Sequence, residues 1–394
     1  MPQRIEEHTG ARIKSARKRR RLTQRELSDK SAVSYSTLTK VEQNAMPASP
    51  SVLGAIARAL SIPVTELTGQ PYLDELHQDQ LDGLIQPVRE ALNVYDLGAD
   101  PDIRPRGLSE LAEQADSLCV LVRATNIKQA AAELPDLICE ATTAAHTHGT
   151  TEAWQTLASS YRTAYDVTTK LGFMDLSAIA LDRLEWAAQR ASDPILGGMR
   201  QYLRALAYLR ASDYRTGKRL IALGMTTLEQ ADGGHERDVV TGQLHLGAAV
   251  LAGRDKDGDT AEEHLSEAGR IAERTGPAEK VHYLSFGPTN VDVHRVSVLA
   301  ELDQYGEAVD KAKAMTLPGD WPPSRMAHHY AEVARAQMWT GRTDAAFRNL
   351  LEARKLAPQQ TRYHPTVRET YAGLESAKRR MPDDFINYGS WLSA

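Results

Sequence analysis

Two helix-opening signals, Thr23-Gln24 and Ser34, stand on either side of a tight turn at Ala32-Val33. Thr23 with Glu26 three residues later makes a capping box, and Ser34 repeats the capping device for the segment that follows. Two short helices joined in this way form a helix-turn-helix, a layout that fits the major groove of DNA. The preceding stretch is a basic amphipathic helix. Ile13, Ala16 and Leu22 give it a buried stripe, and Arg12, Lys14, Arg17, Lys18, Arg19, Arg20 and Arg21 crowd the remaining surface. In the helix opened by Ser34, Leu38 and Val41 face inward at i, i+3 spacing. That leaves Tyr35, Ser36, Thr37 and Lys40 outward as a candidate reading head.

A basic run or a lone capping box occurs in many helices that touch nothing. Here both fall inside one 60-residue pattern of five short helices, at about 8–21, 23–30, 34–42, 49–59 and a turn near 64–67. Leu27, Leu38, Val41, Leu53, Ile56, Leu60, Ile62 and Leu67 are its expected core. Residues 8–69 resemble the lambda-repressor-like, Xre-type family through the run LTQRELSDKSAVSYSTLTKVEQN with its Glu42, followed by Pro47 and the LxxIAxAL of a fourth helix. One departure is Asn44, where the family usually has Gly; Asn also tolerates the left-handed backbone conformation. The resemblance implies that Gln24 and Gln43 touch phosphates and that Tyr35, Ser36 and Lys40 reach base edges. Side-chain chemistry agrees: Lys donates to guanine O6 and N7, Ser pairs with several bases, and Tyr packs on a thymine methyl. Arg17, Lys18, Arg19, Arg20 and Arg21 are expected to neutralise phosphates, which sets position and not sequence.

Charge supports confining DNA contact to this end. Residues 1–70 hold 12 Lys and Arg against 6 Asp and Glu, whereas the rest hold 35 against 46. An acidic body repels DNA. No apolar run approaches the ~20 residues of a membrane span, and MPQRIEEHTG lacks the apolar core of a secretion signal, so a cytoplasmic protein without membrane contact is expected. Cys119 and Cys139 lie in apolar helical contexts, SLCVLV and PDLICEA, without ligand spacing, and read as reduced core thiols. His146-x-His148 and His328-His329 lack carboxylate or thiol partners at ligand spacing, and no nucleotide-binding or nucleophile-elbow motif occurs. Neither an enzyme, a metal site nor a cofactor is expected.

From residue 70 onward the pattern is helical throughout, so the fold class is all-α. Gln70-Pro71 ends the first domain, 1–70. A helical connector, 71–150, follows, with apolar positions 73, 76, 81, 84, 85, 88 and 92 at helical spacing, a linker at 98–107 (GADPDIRPRG), and two helices at about 108–124 and 127–147. It either joins the array beyond it or forms a separate hinge. Residues 151–378 read as degenerate tetratricopeptide-like helical repeats, and 379–394 as a C-terminal tail. The clearest repeat is YAEVARAQMWTGRTDAAFRNLLEARKLAP, where Ala334, Gly341, Ala346, Leu350, Ala353 and Pro358 occupy the repeat's characteristic positions. Weaker copies align through Ala158, Ala205, Ala249 and Val296 in first helices and Ala178, Gly217, Ala261 and Ala308 in second helices, with starts near 151, 198, 242, 289 and 327.

Such repeats stack into a superhelix with a concave face built from first helices. On this frame the groove includes Tyr202, Leu206, Arg210, Gln243, Leu246, Asn290, Ser297, His328, Arg335 and Trp339. The FGPTNVDVHR run adds His294, with Thr289 as the expected cap of its helix. The whole chain resembles regulators with an Xre-type head and a tetratricopeptide-like body, and the FGPTNVxxHR run is similar to one in such regulators from filamentous bacteria. Members of that wider group sense secreted peptides or metabolites. The resemblance therefore implies a sequence-specific, double-stranded-DNA-binding transcriptional regulator, expected as a homodimer, whose groove takes a signalling peptide or small molecule. The alternative is an interaction scaffold that recruits a protein partner, with DNA binding secondary.

Overall fold

The computed structural model describes residues 8–70, 75–377 and 382–393. Among them the chain is all-helical, and the only extended pairing is an isolated bridge between Ala278 and Phe286. No helix of the described residues is long and apolar enough to cross a membrane. The head contains α1 (Thr9–Arg19), α2 (Gln24–Ser31), α3 (Tyr35–Glu42), α4 (Pro50–Leu60) and α5 (Val64–Thr68). Its core gathers Ile13, Leu27, Leu38, Val41, Leu53, Ile56, Leu60 and Leu67, with Leu22 and Ile62 partly buried at the edge. Gly10 permits the closest approach in the head: a Cβ there would lie 1.9 Å from the Val41 carbonyl oxygen. Asn44 adopts φ +57° just past α3, the left-handed conformation that Gly or Asn accepts most readily.

Beyond the head come α6 (Glu75–Asn93), α7 (Leu108–Arg123) and α8 (Ile127–His148). Position 73 lies outside the described residues, as do the side chains at 76 and 81. Ile85, Val88 and Leu92 of α6 are buried in one continuous core with α7, α8 and the helices after them, so this stretch packs as part of the body. Residues 98–107 form the irregular connection that their Pro and Gly content demands.

Five helical hairpins follow: α9 (Thr151–Leu171) with α10 (Met174–Ala191), α11 (Pro194–Arg210) with α12 (Tyr214–Leu228), α13 (His235–Arg254) with α14 (Gly258–Thr275), α15 (Pro288–Glu301) with α16 (Tyr305–Ala314), and α17 (Pro323–Trp339) with α18 (Thr343–Leu356). Each hairpin turn contains a residue with left-handed φ: Gly172, Ser212, Lys256, Asp303 and Gly341. Asp213 and Asp257 then start the next helices by accepting from the Thr216 and Thr260 amides, both at 3.1 Å. Ala158, Ala205, Ala249, Ala334, Ala261, Ala308 and Ala346 are fully buried where helices cross, as is the larger Val296 of α15. Ala178 departs from the sequence alignment. It is exposed, and Ala180 is the buried small residue of α10, two positions later. The uneven spacing of the hairpins has a visible cause in residues 276–287, an insert with a single 3-10 turn between α14 and α15.

The chain ends with α19 (Pro358–Arg362), α20 (Pro365–Ala377) and α21 (Asp383–Ser393). The segment read as a tail thus contains a helix, whose Phe385 and Tyr388 are fully buried against Phe347 and Tyr371. The array also returns on itself. Gln359 accepts from the Lys128 amide at 3.3 Å, Gln360 accepts from Lys170 Nζ at 2.5 Å, and α7 packs on α17.

Candidate nucleic-acid interface and the interior cavity

The DNA-facing geometry begins with the caps. Thr23 Oγ1 accepts from the Glu26 amide at 3.2 Å while Glu26 Oε2 accepts from the Thr23 amide at 2.7 Å, which completes the capping box. Ala32 at φ +55° makes the turn, and Ser34 Oγ accepts from the Thr37 amide at 3.1 Å. These contacts hold α3 with Tyr35, Ser36 and Lys40 exposed in a row along its outer face. Tyr35 is 47% exposed. Thr37 is half-buried, and its hydroxyl accepts from Ser34 Oγ at 2.8 Å, so it serves the cap as well as the face. Gln24, at the start of α2, accepts from the Tyr35 hydroxyl at 3.4 Å, and Gln43 is exposed at the far end of α3.

Arg17 requires a correction. Expected on a phosphate, it is 8% exposed and buried against Glu42, donating from Nε at 2.6 Å and from Nη2 at 2.8 Å, with a further bond from Nη1 to the Leu22 carbonyl at 2.8 Å. The reason is positional: Arg17 stands four residues after Ile13, on the buried stripe of α1. Glu42 also accepts from Gln24 Nε2 at 2.9 Å, so one carboxylate ties α1, α2 and α3 together. The bond to Glu42 raises the Arg17 pKa further above its ordinary range. Lys18, Arg19, Arg20 and Arg21 are exposed. Of these, Arg19 bonds Glu66 and Arg20 donates to the Ser61 carbonyl at 3.3 Å, toward α4 and α5. Arg25 was missed in the sequence. It is exposed, and its guanidinium lies 5.9 Å from the Tyr35 ring centroid, beside the outer face of α3. Its place next to Gln24 in the first turn of α2 was the available signal.

Inside the body lies a cavity of 760 Å³. Tyr202, Arg210, Gln243, His294, His328, Arg335 and Trp339 all line it, with Leu206 and Ser297. Two expected groove residues do not. Leu246 is fully buried in the core behind, because it packs into the α13–α14 crossing. Asn290 is also fully buried, where its Nδ2 donates to Gln243 Oε1 at 3.3 Å and its carbonyl oxygen Oδ1 accepts from Arg325. It holds the wall in place. Thr289 does not cap its helix either: the cap is Gly287, two residues earlier, and α15 opens at Pro288, because Pro suits the first helical position.

The cavity's charged groups were largely missed. Arg123 donates twice to Asp166 Oδ2, at 3.1 Å each, and from Nε to the Tyr283 carbonyl at 2.9 Å. Arg162 Nη2 stands 3.9 Å from the same carboxylate. Arg162, Asp166 and Lys170 are spaced four apart on α9, a charged stripe on a helix whose only other charged residue is Glu152, and this could have marked them. At the other end, Glu301 accepts from Arg254 at 2.6 Å and Arg335 at 3.0 Å, and Arg335 also bonds Glu332 at 2.5 Å. Burial alone would raise the Glu301 carboxyl, but the two guanidiniums hold it down to about 2. Burial pushes His294 down to about 3 and His364 to about 4, helped by Arg325 and Lys170 respectively, so these imidazoles stay neutral at physiological pH.

The head forms part of this cavity's wall. Pro47, Ser49, Leu53, Ala57 and Arg58 line it together with the body residues. Arg58 donates to the Ser212 carbonyl, Thr9 to Glu369, and Ser376 Oγ to the Asn44 carbonyl at 3.0 Å, so the head is bonded to the body at α11–α12 and at α20.

No curated protein and no solved structure matches the chain. Residues 13–67 match the family model described as Helix-turn-helix. The chain therefore carries at its N-terminal end an Xre-like helix-turn-helix domain, that of a DNA-binding transcription regulator.

Proposed function

We propose that this protein is a ligand-responsive transcriptional regulator that recognises a specific double-stranded DNA sequence. Residues 1–70 grip DNA, with Tyr35, Ser36, Thr37 and Lys40 reading bases. Gln24, Gln43 and Lys18 to Arg21 contact phosphates. The hairpins of 151–378, a tetratricopeptide-like superhelix extended by 71–150 and closed by the C-terminal helices, hold a peptide or small-molecule signal in the cavity. A homodimer working in the cytoplasm presents two heads to half-sites about one helical turn apart, roughly 34–36 Å.

One observation carries the coupling between signal and DNA: head and body residues line the same cavity. An occupant that contacts both walls biases the position of the head, and a ligand shifts an equilibrium only through such differential contact. The scaffold reading has less support, because it gives no account of why head residues share the wall of this cavity. Filling the cavity tests the coupling without knowledge of the ligand. Leu206→Trp places extra volume beside Tyr202, and its affinity for a selected DNA site should change by about tenfold, within the usual range of allosteric coupling. An unchanged affinity in a folded variant would overturn the coupling.

A further inference from the structure

The cavity holds more positive charge than it neutralises. Arg123, Arg162, Lys170 and Arg325 line it at the end formed by α7, α9 and α17, and the only carboxylate among them is Asp166. Arg123 is the common electrostatic neighbour: it acts on Arg162, Lys170 and Arg325, and Arg325 also acts on Lys170. The opposite end is balanced, with Arg254 and Arg335 against Glu301 and Glu332. Burying like charges together is costly unless something of opposite sign joins them.

Hydrogen bonding repeats the imbalance. Arg162 is 3% exposed, yet its Nε has no partner, and the Nε of Arg325 has none either. Neutral acceptors partly serve the remainder: Lys170 bonds Gln360, and Arg325 bonds the Asn290 side-chain oxygen. A buried guanidinium with an unsatisfied donor is a site waiting for an acceptor. Apolar and aromatic groups, Tyr165, Tyr202, Leu203, Leu206 and Val293, complete the surroundings.

We infer that the cavity is built for a drug-sized organic anion, one acidic group on an apolar or aromatic body, with the acid received by Arg162, Arg325 and Lys170 and the body held against Tyr202 and Leu206. A volume of 760 Å³ lies within the range of small-molecule sites, and a few polar groups on an apolar wall are their usual composition. Arg is suited to this role because its planar donors match a carboxylate, sulfonate or phosphate edge. This inference rests on the sensing reading above and specifies its ligand.

Two fluorescent probes with the same body separate charge from hydrophobicity: 8-anilinonaphthalene-1-sulfonate and the uncharged N-phenyl-1-naphthylamine. Titrated into the full chain, the sulfonate should saturate at one per chain and bind at least about tenfold tighter than the neutral probe, the effect of one good ionic contact. Arg162→Met and Lys170→Met should each remove most of that preference and leave the neutral probe unaffected; the second variant keeps the test valid if the first does not fold. Lys218→Met, which removes a surface pair with Asp255, should change neither probe. Equal or better binding of the neutral probe would overturn the inference, as would equal loss of both probes in the variants, or binding of neither. Anisotropy of labelled DNA with each probe separates the two levels. If the neutral probe binds as tightly as the sulfonate and shifts DNA affinity, sensing stands and the anion preference falls. If the sulfonate binds by charge but DNA affinity is unmoved, the anion site stands and the sensing reading falls.

Discussion

Arg58, near the end of the fourth helix of the head, donates to the backbone carbonyl of Ser212, in the turn of the second hairpin. One turn of helix earlier, Gly54 faces the same serine so closely that a Cβ would lie 1.8 Å from Ser212 Oγ and 2.2 Å from its Cβ. The head is thus seated on the body through a glycine whose two closest neighbours both belong to Ser212, the next being Arg58 Nη1 at 3.5 Å.

Gly54→Ala therefore separates docking from folding. Ala favours a helix over Gly by about 1 kcal/mol, so the head should keep its stability. The head should instead be pushed off Ser212, and the radius of gyration from solution scattering should rise while far-UV helicity holds. An unchanged radius would mean that the serine turn gives way.

Arg17 and Arg20 should part company when mutated. Arg17→Met leaves Glu42 buried without its counter-charge and should destabilise the head by ~3 kcal/mol in denaturant unfolding. Arg20→Ala should move stability by less than about 0.5 kcal/mol. It should weaken binding to all duplexes alike and flatten the salt dependence. A loss confined to one sequence would contradict its assignment to phosphate.

Lys40→Ala and Tyr35→Ala should each cost ~1–3 kcal/mol in binding the specific site and leave random DNA nearly untouched. Arg25→Ala, beside the same face, should reduce affinity as well. Competition titrations at fixed salt measure all three, and equal loss on both duplexes would remove these residues from the reading face.

Lys170 sets a pH dependence. Burial lowers its pKa to about 8, opposed by Asp166 and reinforced by Arg123 and Arg325, and it faces the neutral His328 and His364. Its unfolded value is about 10.4, so between these limits the unfolded chain binds more protons than the folded one. Stability attributable to this lysine therefore rises with pH through that window, and the penalty is complete below it. Lys170→Met should be more stable than the parent at pH 7, with an advantage that shrinks as pH rises from 8 toward 10. An advantage that does not change with pH would contradict a charged Lys170 in the cavity.

What the sequence revealed was chiefly local. The capping box at Thr23 and Glu26, the cap at Ser34 and the left-handed Asn44 depend on neighbours within a few residues, and so does the outward row of Tyr35, Ser36 and Lys40. The burial of Arg17 was legible too, in its four-residue offset from Ile13, but a run of basic residues concealed it. Arg58 and Ser212 lie 154 positions apart, and nothing at either end announces the contact. The cavity cations were obscured because the first hairpin follows its repeat frame loosely, as Ala178 and Ala180 show, so the stripe of Arg162, Asp166 and Lys170 had no assigned face.

Selection of duplexes from a randomised pool by the full chain, with a 71–394 truncation as control, tests the central claim most directly. The account predicts enrichment of one sequence motif by the full chain, lost with the truncation and altered at defined positions by Lys40→Ala. A pool that stays random, or one that the truncation enriches equally, would contradict a sequence-specific regulator acting through its helix-turn-helix.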